Sequence, residues 1–384
     1  MMSLHNMANW RLGAKPSRKA VILATLIAIA CPAGAQQLPA PSPDQIETRF
    51  EQAENRLEEM GFTGVIAVSA KGGKPLFAGF GDTAAADGRP DKETLVDVGS
   101  ITKTFTGAAA MKLVDAGKLS MADRLGDFFP DAPEDKARIT VHQLLTHSAG
   151  FTEHVGSDLE YLSKKEFLKR AMKSDLLFEP GTDYAYSNVG FSLAAAIIEK
   201  TAGKSYADFL KDDVLRKTGI THVGYEEAYD AGRSLLTKDG KAVSEASWGG
   251  TSHWALIGNG GILATAEDMI LFRNAFASGD IVSKAGVELA QAPLVREGED
   301  APSHYGYGLV IQDDPVLGRF YWHNGGNPHF SANWTDYADY GLVIFVASNH
   351  PEIDADTAVM ILTESLFGVR MMRMDEGDVE SEQD

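Results

Sequence analysis

The segment Ser100-Ile101-Thr102-Lys103 combines two residue types that can perform chemistry together. On a helix, residues three positions apart share a face, so the Ser100 hydroxyl and the Lys103 amine can be neighbours. A serine becomes nucleophilic when a base lies beside it, and a desolvated lysine can be that base. A helix N-terminus also favours developing negative charge. The pair therefore suggests nucleophilic catalysis, while an N-cap serine followed by a solvated lysine is the ordinary structural alternative.

A second group of polar side chains lies in Tyr184-Ala185-Tyr186-Ser187-Asn188, directly before a predicted helix. A tyrosine hydroxyl near a lysine can shuttle protons, and an asparagine amide can bind a substrate carbonyl. Each residue also has a structural interpretation, Tyr186 as a core aromatic side chain and Asn188 as a helix N-cap. The segment alone leaves both interpretations open.

A third group ends a predicted strand, at His323-Asn324-Gly325-Gly326. Paired glycines allow a substrate backbone to approach a strand closely, because they carry no side chain. The structural alternative is a glycine-rich hairpin turn with an incidental histidine.

Taken together and in this order, the motifs S-x-x-K, Y-x-N and H-x-G resemble those of the serine β-lactamase and penicillin-binding-protein superfamily. Within it, the chain is similar to the branch that contains class C β-lactamases, D,D-carboxypeptidases, D-aminopeptidases and family VIII esterases. The flanking segments 144–150, 180–182 and 260–265 support the resemblance, which extends over roughly residues 46–367.

The resemblance implies an acyl-transfer mechanism in which Ser100 is the nucleophile and Lys103 and Tyr186 share the general-base and general-acid roles. The backbone N–H groups of Ser100 and Gly326 would form the oxyanion hole. The implied reaction proceeds through an ester intermediate that water hydrolyses, with no metal and no other cofactor. Asn188 would bind the acyl-side amide of the substrate.

The same resemblance implies that His323 supports the tyrosine and the leaving group electrostatically. Class C β-lactamases carry Lys-Thr-Gly where this chain has His323-Asn324-Gly325, and a histidine is only partly charged near neutral pH. We therefore expect an esterase or a D-amino-acid peptidase acting on a small ester, amide or peptide. The alternatives are a class C-like β-lactamase and a penicillin-binding or peptidoglycan-binding protein without turnover.

Hydrophobic patterning predicts an α+β fold, an α/β sandwich whose central antiparallel sheet is built from N- and C-terminal segments and flanked by helices. A mostly helical region is inserted between the two sets of strands, and segment 224–252 has no clear pattern. The predicted strands are 63–70, 74–79, 306–312, 319–323, 330–334 and 341–348. The predicted helices are 45–60, 100–116, 141–147, 162–173, 190–202, 206–215, 266–277 and 354–366.

Two other hydrolase types fit the sequence less well. The α/β-hydrolase motif G-x-S-x-G has its nearest counterpart in segment 146–150, which lacks the first glycine. A metal hydrolase would need ligands on one face, and the spacing of His142, His147 and His154 does not place two of them there.

The net charge and the N-terminal residues predict the kind of partner and the cellular location of the protein. With 35 Lys and Arg against 54 Asp and Glu, the net charge is −19, which argues against nucleic-acid binding. Basic residues, an apolar run at 21–30 and small residues before position 36 predict a signal peptide over 1–35 and a periplasmic or secreted protein. The apolar run is too short for a transmembrane span, and lipidation of Cys31 is the alternative.

The predicted organisation has a signal peptide at 1–35, a linker at 36–45, a hydrolase domain at 46–368 and an acidic, disordered tail at 369–384. Removal of the signal peptide takes away four basic and no acidic residues, so the net charge becomes −23. The only cysteine, Cys31, lies in that segment. A disulfide framework and cysteine-based zinc sites are therefore not expected.

Overall fold

A large antiparallel sheet forms the centre of the protein, in a computed structural model that describes residues 37–83, 88–237, 239–241, 243–249 and 251–371. The strands are β1 (Gly64–Ala70), β2 (Leu76–Phe80), β3 (Leu95–Asp97), β4 (Leu263–Thr265), β5 (Val295–Arg296), β6 (Ser303–Tyr305), β7 (Val310–Asp314), β8 (Gly318–Gly326), β9 (Ser331–Tyr337) and β10 (Leu342–Ser348). Eight of them form one sheet in the order β2-β1-β10-β9-β8-β7-β6-β5, and β3 pairs with β4 separately.

The helices lie mainly between the N-terminal and C-terminal strands. They are α1 (Pro43–Glu59), α2 (Thr102–Asp115), α3 (Leu125–Phe128), α4 (Glu134–Ala137), α5 (Val141–Leu145), α6 (Lys164–Lys173), α7 (Asn188–Ala202), α8 (Tyr206–Phe209), α9 (Val243–Trp248), α10 (Ala266–Ser278), α11 (Lys284–Ala290) and α12 (Ala355–Phe367). The predicted α+β architecture, with a sheet from both chain ends and a helical insertion, is confirmed.

Pairing of β1 with β10 joins the N- and C-terminal parts of the chain near one edge of the sheet, where they are its second and third strands. Val65 lies opposite Ala347 and Ile66 opposite Val346, and all four side chains are buried. Runs of β-branched and small apolar residues suit strands that are covered on both faces. This pairing explains why the sheet needs both segments.

Side-chain alternation along β9 shows that helices cover both faces of the sheet. Arg273 in α10 forms a two-pronged ion pair with Asp336, at 2.7 and 3.0 Å. Asn333 donates instead to Asp356 at the start of α12, over 2.7 Å. Residues 333 and 336 point to opposite faces because successive side chains of a strand alternate. The sheet therefore separates α10 from α12.

Helix α2 is buried on almost every side. Phe105, Ala109 and Met111 are fully buried, and a Cβ atom on Gly107 would lie 2.0 Å from the carbonyl oxygen of Tyr307. The helix was expected to begin at Ser100, but residues Gly99–Ile101 form a 3-10 turn and the α-helix begins at Thr102. The nucleophile candidate therefore lies in this turn.

Several predicted boundaries differ from the observed ones. Helix α1 begins at Pro43 with Ser42 as its N-cap, so it includes the last three residues assigned to the linker. Strands β5 and β6 were not predicted because they span only two and three residues. The strand expected from Gly306 begins at Val310, because Gly308 turns the backbone with a φ of +88°.

The inserted region contains two further differences. The helix predicted over 206–215 continues after α8 as a π-helix over Leu210–Leu215. Segment 224–252, which had no clear pattern, contains 3-10 turns at Glu226–Ala228 and Ala231–Arg233 followed by α9. Trp248 anchors this segment by donating its indole N–H to the carbonyl of Gly261 over 2.8 Å.

Both chain termini extend past the part of the chain that the structure describes. The predicted signal peptide, with Cys31, lies outside the described residues, and so does the acidic tail from residue 372 onwards. Met371 still belongs to the buried core, with 7% of its surface exposed. Among the described residues, none of the helices has the length and apolar character needed to span a bilayer.

Candidate active site

The predicted nucleophile lies in a tightly bent turn immediately before α2. Gly99 starts the turn with a φ of +52°, a conformation that residues with side chains rarely adopt. From the first turn of α2, Lys103 directs its Nζ to the Oγ of Ser100 at 2.9 Å. The structure thus brings together the two side chains of the first motif.

Lys103 is fully buried, which changes its chemistry. Its Nζ also donates to the backbone carbonyl of Asn259 over 2.8 Å and lies 4.7 Å from the centre of the Tyr186 ring. Burial lowers the pKa of Lys103 to about 7, against the opposing effect of the carboxylates of Asp158 and Glu153. At neutral pH a large fraction of this lysine is the uncharged amine, which can accept a proton.

Tyr186 reaches the same point from the segment before α7. Its hydroxyl is hydrogen-bonded to Ser100, and burial raises the pKa of the phenol strongly, with that hydrogen bond acting in the opposite direction. The phenol is therefore protonated at neutral pH. The Tyr186 hydroxyl can transfer a proton, but it is not a phenolate that could act as a base.

His147 holds the backbone on both sides of Tyr186. The three motifs do not include this histidine. Its carbonyl accepts from the N–H of Ala185 and its Nδ1 from the N–H of Ser187, both at 2.9 Å. The imidazole also packs on the Tyr186 ring with a centroid distance of 4.3 Å. Among the described non-glycine residues, only His147 has a positive φ, of 59°.

Asn188 is the first residue of α7, and Ser187 rather than Asn188 is the N-cap, accepting from the N–H of Gly190 over 3.2 Å. The Oδ1 of Asn188 is buried without a hydrogen-bond partner among the described residues. The side chain lines a small cleft together with Glu153 and His154. A buried amide with a free oxygen is suited to bind a polar group of a substrate.

The third motif begins with a histidine whose two ring nitrogens both have hydrogen-bond partners. His323 is buried, its Nδ1 lies 2.6 Å from the carbonyl oxygen of Asn324, and its Nε2 lies 2.8 Å from the hydroxyl of Tyr305. A carbonyl can only accept, so Nδ1 carries the proton and the tyrosine donates to Nε2. Burial lowers the pKa of His323 to about 3. The lowered pKa favours the uncharged imidazole, and the electrostatic role that the resemblance implies for His323 stays a prediction.

The Asn324 side chain also points away from the nucleophile. Its Nδ2 donates over 3.0 Å to Asp356 at the start of α12, on the other face of the sheet. Neighbouring side chains in a strand face opposite ways, so His323 and Asn324 cannot both face α2. The Asn324 amide therefore faces Asp356 instead of Ser100, and its assignment to the substrate site stays a prediction.

Gly325 and Gly326 approach the turn that carries Ser100 at backbone distance. A Cβ atom on Gly325 would lie 2.5 Å from the Ser100 nitrogen and 2.2 Å from the carbonyl oxygen of Val98. A Cβ atom on Gly99 would lie 2.4 Å from the Gly326 nitrogen. The backbone nitrogens of Ser100 and Gly326 therefore belong to two segments in direct contact, which is the placement that an oxyanion hole needs.

The three histidines considered as metal ligands have separate partners. His142 contacts the Tyr307 hydroxyl at 2.9 Å, and His154 lies between Glu153 at 3.1 Å and Asp158 at 3.3 Å. Hydrogen bonds that the imidazole donates to these two carboxylates raise the pKa of His154 to about 9. Within the described parts of the chain, no group of three or more His, Cys, Asp or Glu side chains could hold a metal ion.

Negative charge surrounds the site. The carboxylates of Glu153, Glu297 and Asp158 all act on the Tyr186 phenol. Glu297 is held by the Tyr184 hydroxyl at 3.0 Å and by the Ser303 hydroxyl at 2.6 Å. His154 balances one of the three carboxylates, so the surroundings of Lys103 and Tyr186 remain negative.

Sequence reasoning missed the residues that support the motifs from a distance along the chain. Asp97 accepts from the N–H of Gly99 and from the side chain of Asn327, each over 2.7 Å. Tyr305 orients His323, and the acceptor on Asn259 is a backbone carbonyl. A backbone carbonyl leaves no mark in a sequence, and an aspartate just before the S-x-x-K motif is the one signal that was available.

Comparison with known proteins finds relatives over most of the chain. The sequence profile of the family described as Beta-lactamase matches residues 50–363. A penicillin-binding protein of Bacillus subtilis (strain 168) is 28% identical over 357 residues, covering 84% of this chain and 76% of the relative. The crystal structure of a penicillin-binding protein from Bacillus halodurans superposes with a TM-score of 0.70 at 25% identity, over 82% of this chain and 100% of that chain.

A more distant structure has the same fold. The D-amino acid amidase from Ochrobactrum anthropi SV3, solved with L-phenylalanine, gives a TM-score of 0.70 at 18% identity. The match covers 84% of this chain and 98% of the amidase. At this identity the likeness concerns the fold alone.

Proposed function

The chain belongs to the beta-lactamase family of serine hydrolases, and from that premise we propose that it hydrolyses a carboxylic ester or amide through an acyl-enzyme on Ser100. The observation that carries the proposal is the 2.9 Å contact between Lys103 Nζ and Ser100 Oγ. It joins a potential nucleophile to a buried amine whose pKa is lowered to about 7. A nucleophile and a base in contact are the minimum that acyl transfer requires.

In the proposed acylation step, the Oγ of Ser100 attacks the substrate carbonyl carbon and its proton passes to the neutral Lys103 amine. The negative charge that develops on the carbonyl oxygen is stabilised by the N–H groups of Ser100 and Gly326. When the intermediate collapses, the bond to the leaving oxygen or nitrogen breaks. The Tyr186 hydroxyl gives its proton to that atom and is reprotonated from Lys103.

Deacylation reverses these roles. Water attacks the acyl carbon, its proton passes through Tyr186 and Lys103, and the Oγ of Ser100 leaves as the hydroxyl. Asn188 binds the acyl side of the substrate throughout, through the amide whose Oδ1 has no partner in the described protein. Positioned proton transfer contributes roughly 10²–10⁴-fold, and each oxyanion donor about 10²–10³-fold.

The charge distribution supports substrates without a carboxylate near the scissile bond. His323 is neutral, the Asn324 amide faces α12, and three carboxylates surround the tyrosine. A substrate carboxylate would therefore meet repulsion near Tyr186, and the reaction needs Lys103 in its neutral form. We propose an ester or amide that has no carboxylate near the scissile bond.

Two alternative functions would use the same nucleophile, Ser100. A class C-like β-lactamase activity is less well supported, because β-lactams carry the carboxylate that this site disfavours. A penicillin-binding or peptidoglycan-binding protein without turnover is supported by the relatives named penicillin-binding proteins. Steady hydrolysis of p-nitrophenyl acetate is expected from the enzyme, whereas a burst of one equivalent followed by no turnover would support the binding protein and contradict our proposal.

We also propose that residues 1–35 direct export and are removed, leaving a periplasmic or secreted enzyme. The support is the order of basic, apolar and small residues in the sequence. The N-terminal mass of the protein recovered from cells tests this. A mature chain that begins at residue 36 is expected, and a lipid-modified Cys31 at the N-terminus would show the anchored alternative.

A further inference from the structure

The backbone donors of the proposed oxyanion hole come from segments far apart in sequence. Ser100 lies in the turn before α2, and Gly326 ends β8. An oxyanion hole works only when both N–H groups point at the position of the oxyanion. Displacement of a donor by about 1 Å can lower the reaction rate by roughly 10²-fold. The segments that carry Ser100 and Gly326 must therefore be held in a fixed position relative to each other.

Asp97 bridges these segments with its two carboxylate oxygens. Oδ1 accepts from the N–H of Gly99 over 2.7 Å, next to Ser100. Oδ2 accepts from the Nδ2 of Asn327 over 2.7 Å, next to Gly326. The aspartate is 4% exposed, so water competes little for these hydrogen bonds.

Asn327 is itself held in one orientation. Its Oδ1 accepts from the backbone N–H groups of His329 at 2.8 Å and Phe330 at 3.0 Å. Its backbone N–H donates to the carbonyl of Phe330 over 2.9 Å and closes the turn between β8 and β9. Because the amide oxygen is occupied by two donors, the Nδ2 group is directed at Asp97.

We propose that Asp97 and Asn327 form a clamp that sets the position of the Ser100 and Gly326 N–H groups relative to each other. Asp97 is hydrogen-bonded to Gly99, which precedes Ser100, and Asn327 directly follows Gly326 in the chain. The hydrogen bond between the Asp97 and Asn327 side chains links the two segments. They are positioning residues: neither touches the reacting atoms. The inference rests on the proposed acyl transfer to Ser100.

Exchange of the two residues gives a direct test. In Asp97→Asn, the NH₂ group of the new side chain faces the Nδ2 group of Asn327, so two hydrogen-bond donors meet. In Asn327→Asp, the new carboxylate faces the carboxylate of Asp97, so two negative charges meet. In the double variant Asp97→Asn/Asn327→Asp the new amide can still accept from Gly99 and can donate to the new carboxylate. That carboxylate can still accept from His329 and Phe330. All four hydrogen bonds are thus retained, and the net charge is unchanged.

We expect each single variant to lower the rate of fluorophosphonate labelling of Ser100 and the kcat for p-nitrophenyl acetate by roughly 10- to 100-fold. KM should change by less than about threefold, because the hole acts mainly on the transition state. The double variant should recover to within about threefold of the unmodified protein. A residue that only stabilised the turn would lower the unfolding temperature without this kcat-specific loss and recovery.

Asp314→Asn is the matched control, because Asp314 is also buried and accepts from two backbone N–H groups of a turn, those of Val316 and Leu317, at 2.8 Å each. It should lower the unfolding temperature and leave labelling unchanged. Folded single variants with unchanged labelling, or a folded double variant no faster than the slower single one, would overturn the clamp alone. An unmodified protein that is not labelled at Ser100 would overturn the proposed function and the clamp with it.

Discussion

The hydroxyl of Tyr305 donates to Nε2 of His323 over 2.8 Å, and the buried imidazole is uncharged with a pKa lowered to about 3. Of the side chains that the three motifs contribute, only Lys103 can therefore bring positive charge to Ser100. Its own pKa is lowered to about 7 by burial. One titration, that of Lys103, should accordingly dominate the pH dependence of acylation.

The acylation rate is predicted to fall with one-proton dependence as the pH drops through about 7, and to level off above it. The sign follows because the depressed pKa leaves Lys103 neutral above pH 7, and only the neutral amine accepts the Ser100 proton. A profile of kcat/KM against pH for p-nitrophenyl acetate measures this. Lys103→Arg should remove the base and lower kcat/KM by about 10²–10⁴-fold.

Lys136→Arg is the control for that profile, since Lys136 is also buried but pairs with Asp135 away from the site. It should keep both the rate and the midpoint. A flat profile between pH 5 and 9 in the unmodified protein, measured as kcat/KM, would rule out Lys103 as the base.

Tyr186→Phe is predicted to lower kcat by about 10²–10³-fold while the protein stays folded, because the phenol relays the proton to the leaving group. Circular dichroism and the unfolding temperature check the fold, and steady-state kinetics checks the loss. Tyr206→Phe is the comparison: Tyr206 is a buried tyrosine, with 1% of its surface exposed, and its hydroxyl bonds Thr106 at 2.6 Å. It should cost about 1 kcal/mol of stability and leave kcat near its original value.

A substrate carboxylate is predicted to reduce turnover. For a peptide that ends in D-alanine, the C-terminal amide should have a kcat/KM at least about tenfold above that of the free acid at low salt, and added salt should narrow the gap. Glu297→Gln should raise kcat/KM for the free acid by about threefold to tenfold, because it removes one carboxylate beside Tyr184.

Glu299→Gln, an exposed change of the same kind two residues away, should leave that ratio unchanged. Equal rates for the acid and the amide would contradict the charge argument, and preference for the acid would favour the carboxypeptidase or β-lactamase alternative.

Gly325→Ala is predicted to remove most activity and to lower the unfolding temperature. The new methyl group would lie 2.2 Å from the Val98 oxygen and 2.5 Å from the Ser100 nitrogen, so the strand and the turn must separate. Gly117→Ala tests whether any glycine change has this effect: Gly117 has a φ of +64° and nothing within 4 Å of the new methyl. It should cost about 1 kcal/mol and leave kcat intact, and full activity in Gly325→Ala would contradict the close approach.

The motifs were predictable from the sequence because each depends on spacing within one segment. Ser100 and Lys103 are three residues apart at a helix start, and Tyr186 precedes a strongly apolar helix. The α+β architecture was also predictable, since β1 and β10 are rich in β-branched and other apolar residues. The short strands β5 and β6 could not be found, because two or three residues show no alternation.

What could not be predicted depends on contacts between distant segments. The lowered pKa of His323 depends on its burial and on the nearby charge of Lys103, and the orientation of Asn324 depends on Asp356 in α12. The bond between Asp97 and Asn327 joins residues 230 positions apart. These relationships arise only when the sheet and the turn before α2 come together.

The central claim, that Ser100 carries the acyl group, is tested most directly by locating the covalent adduct. The protein is treated with a fluorophosphonate or quenched during p-nitrophenyl acetate turnover, digested, and the modified peptide is identified by mass spectrometry. The account predicts one adduct on Ser100, none in Ser100→Ala, and an unchanged adduct in Ser148→Ala, where the altered serine is buried against Thr146. An adduct that persists in Ser100→Ala, or that maps to Ser148, would contradict it.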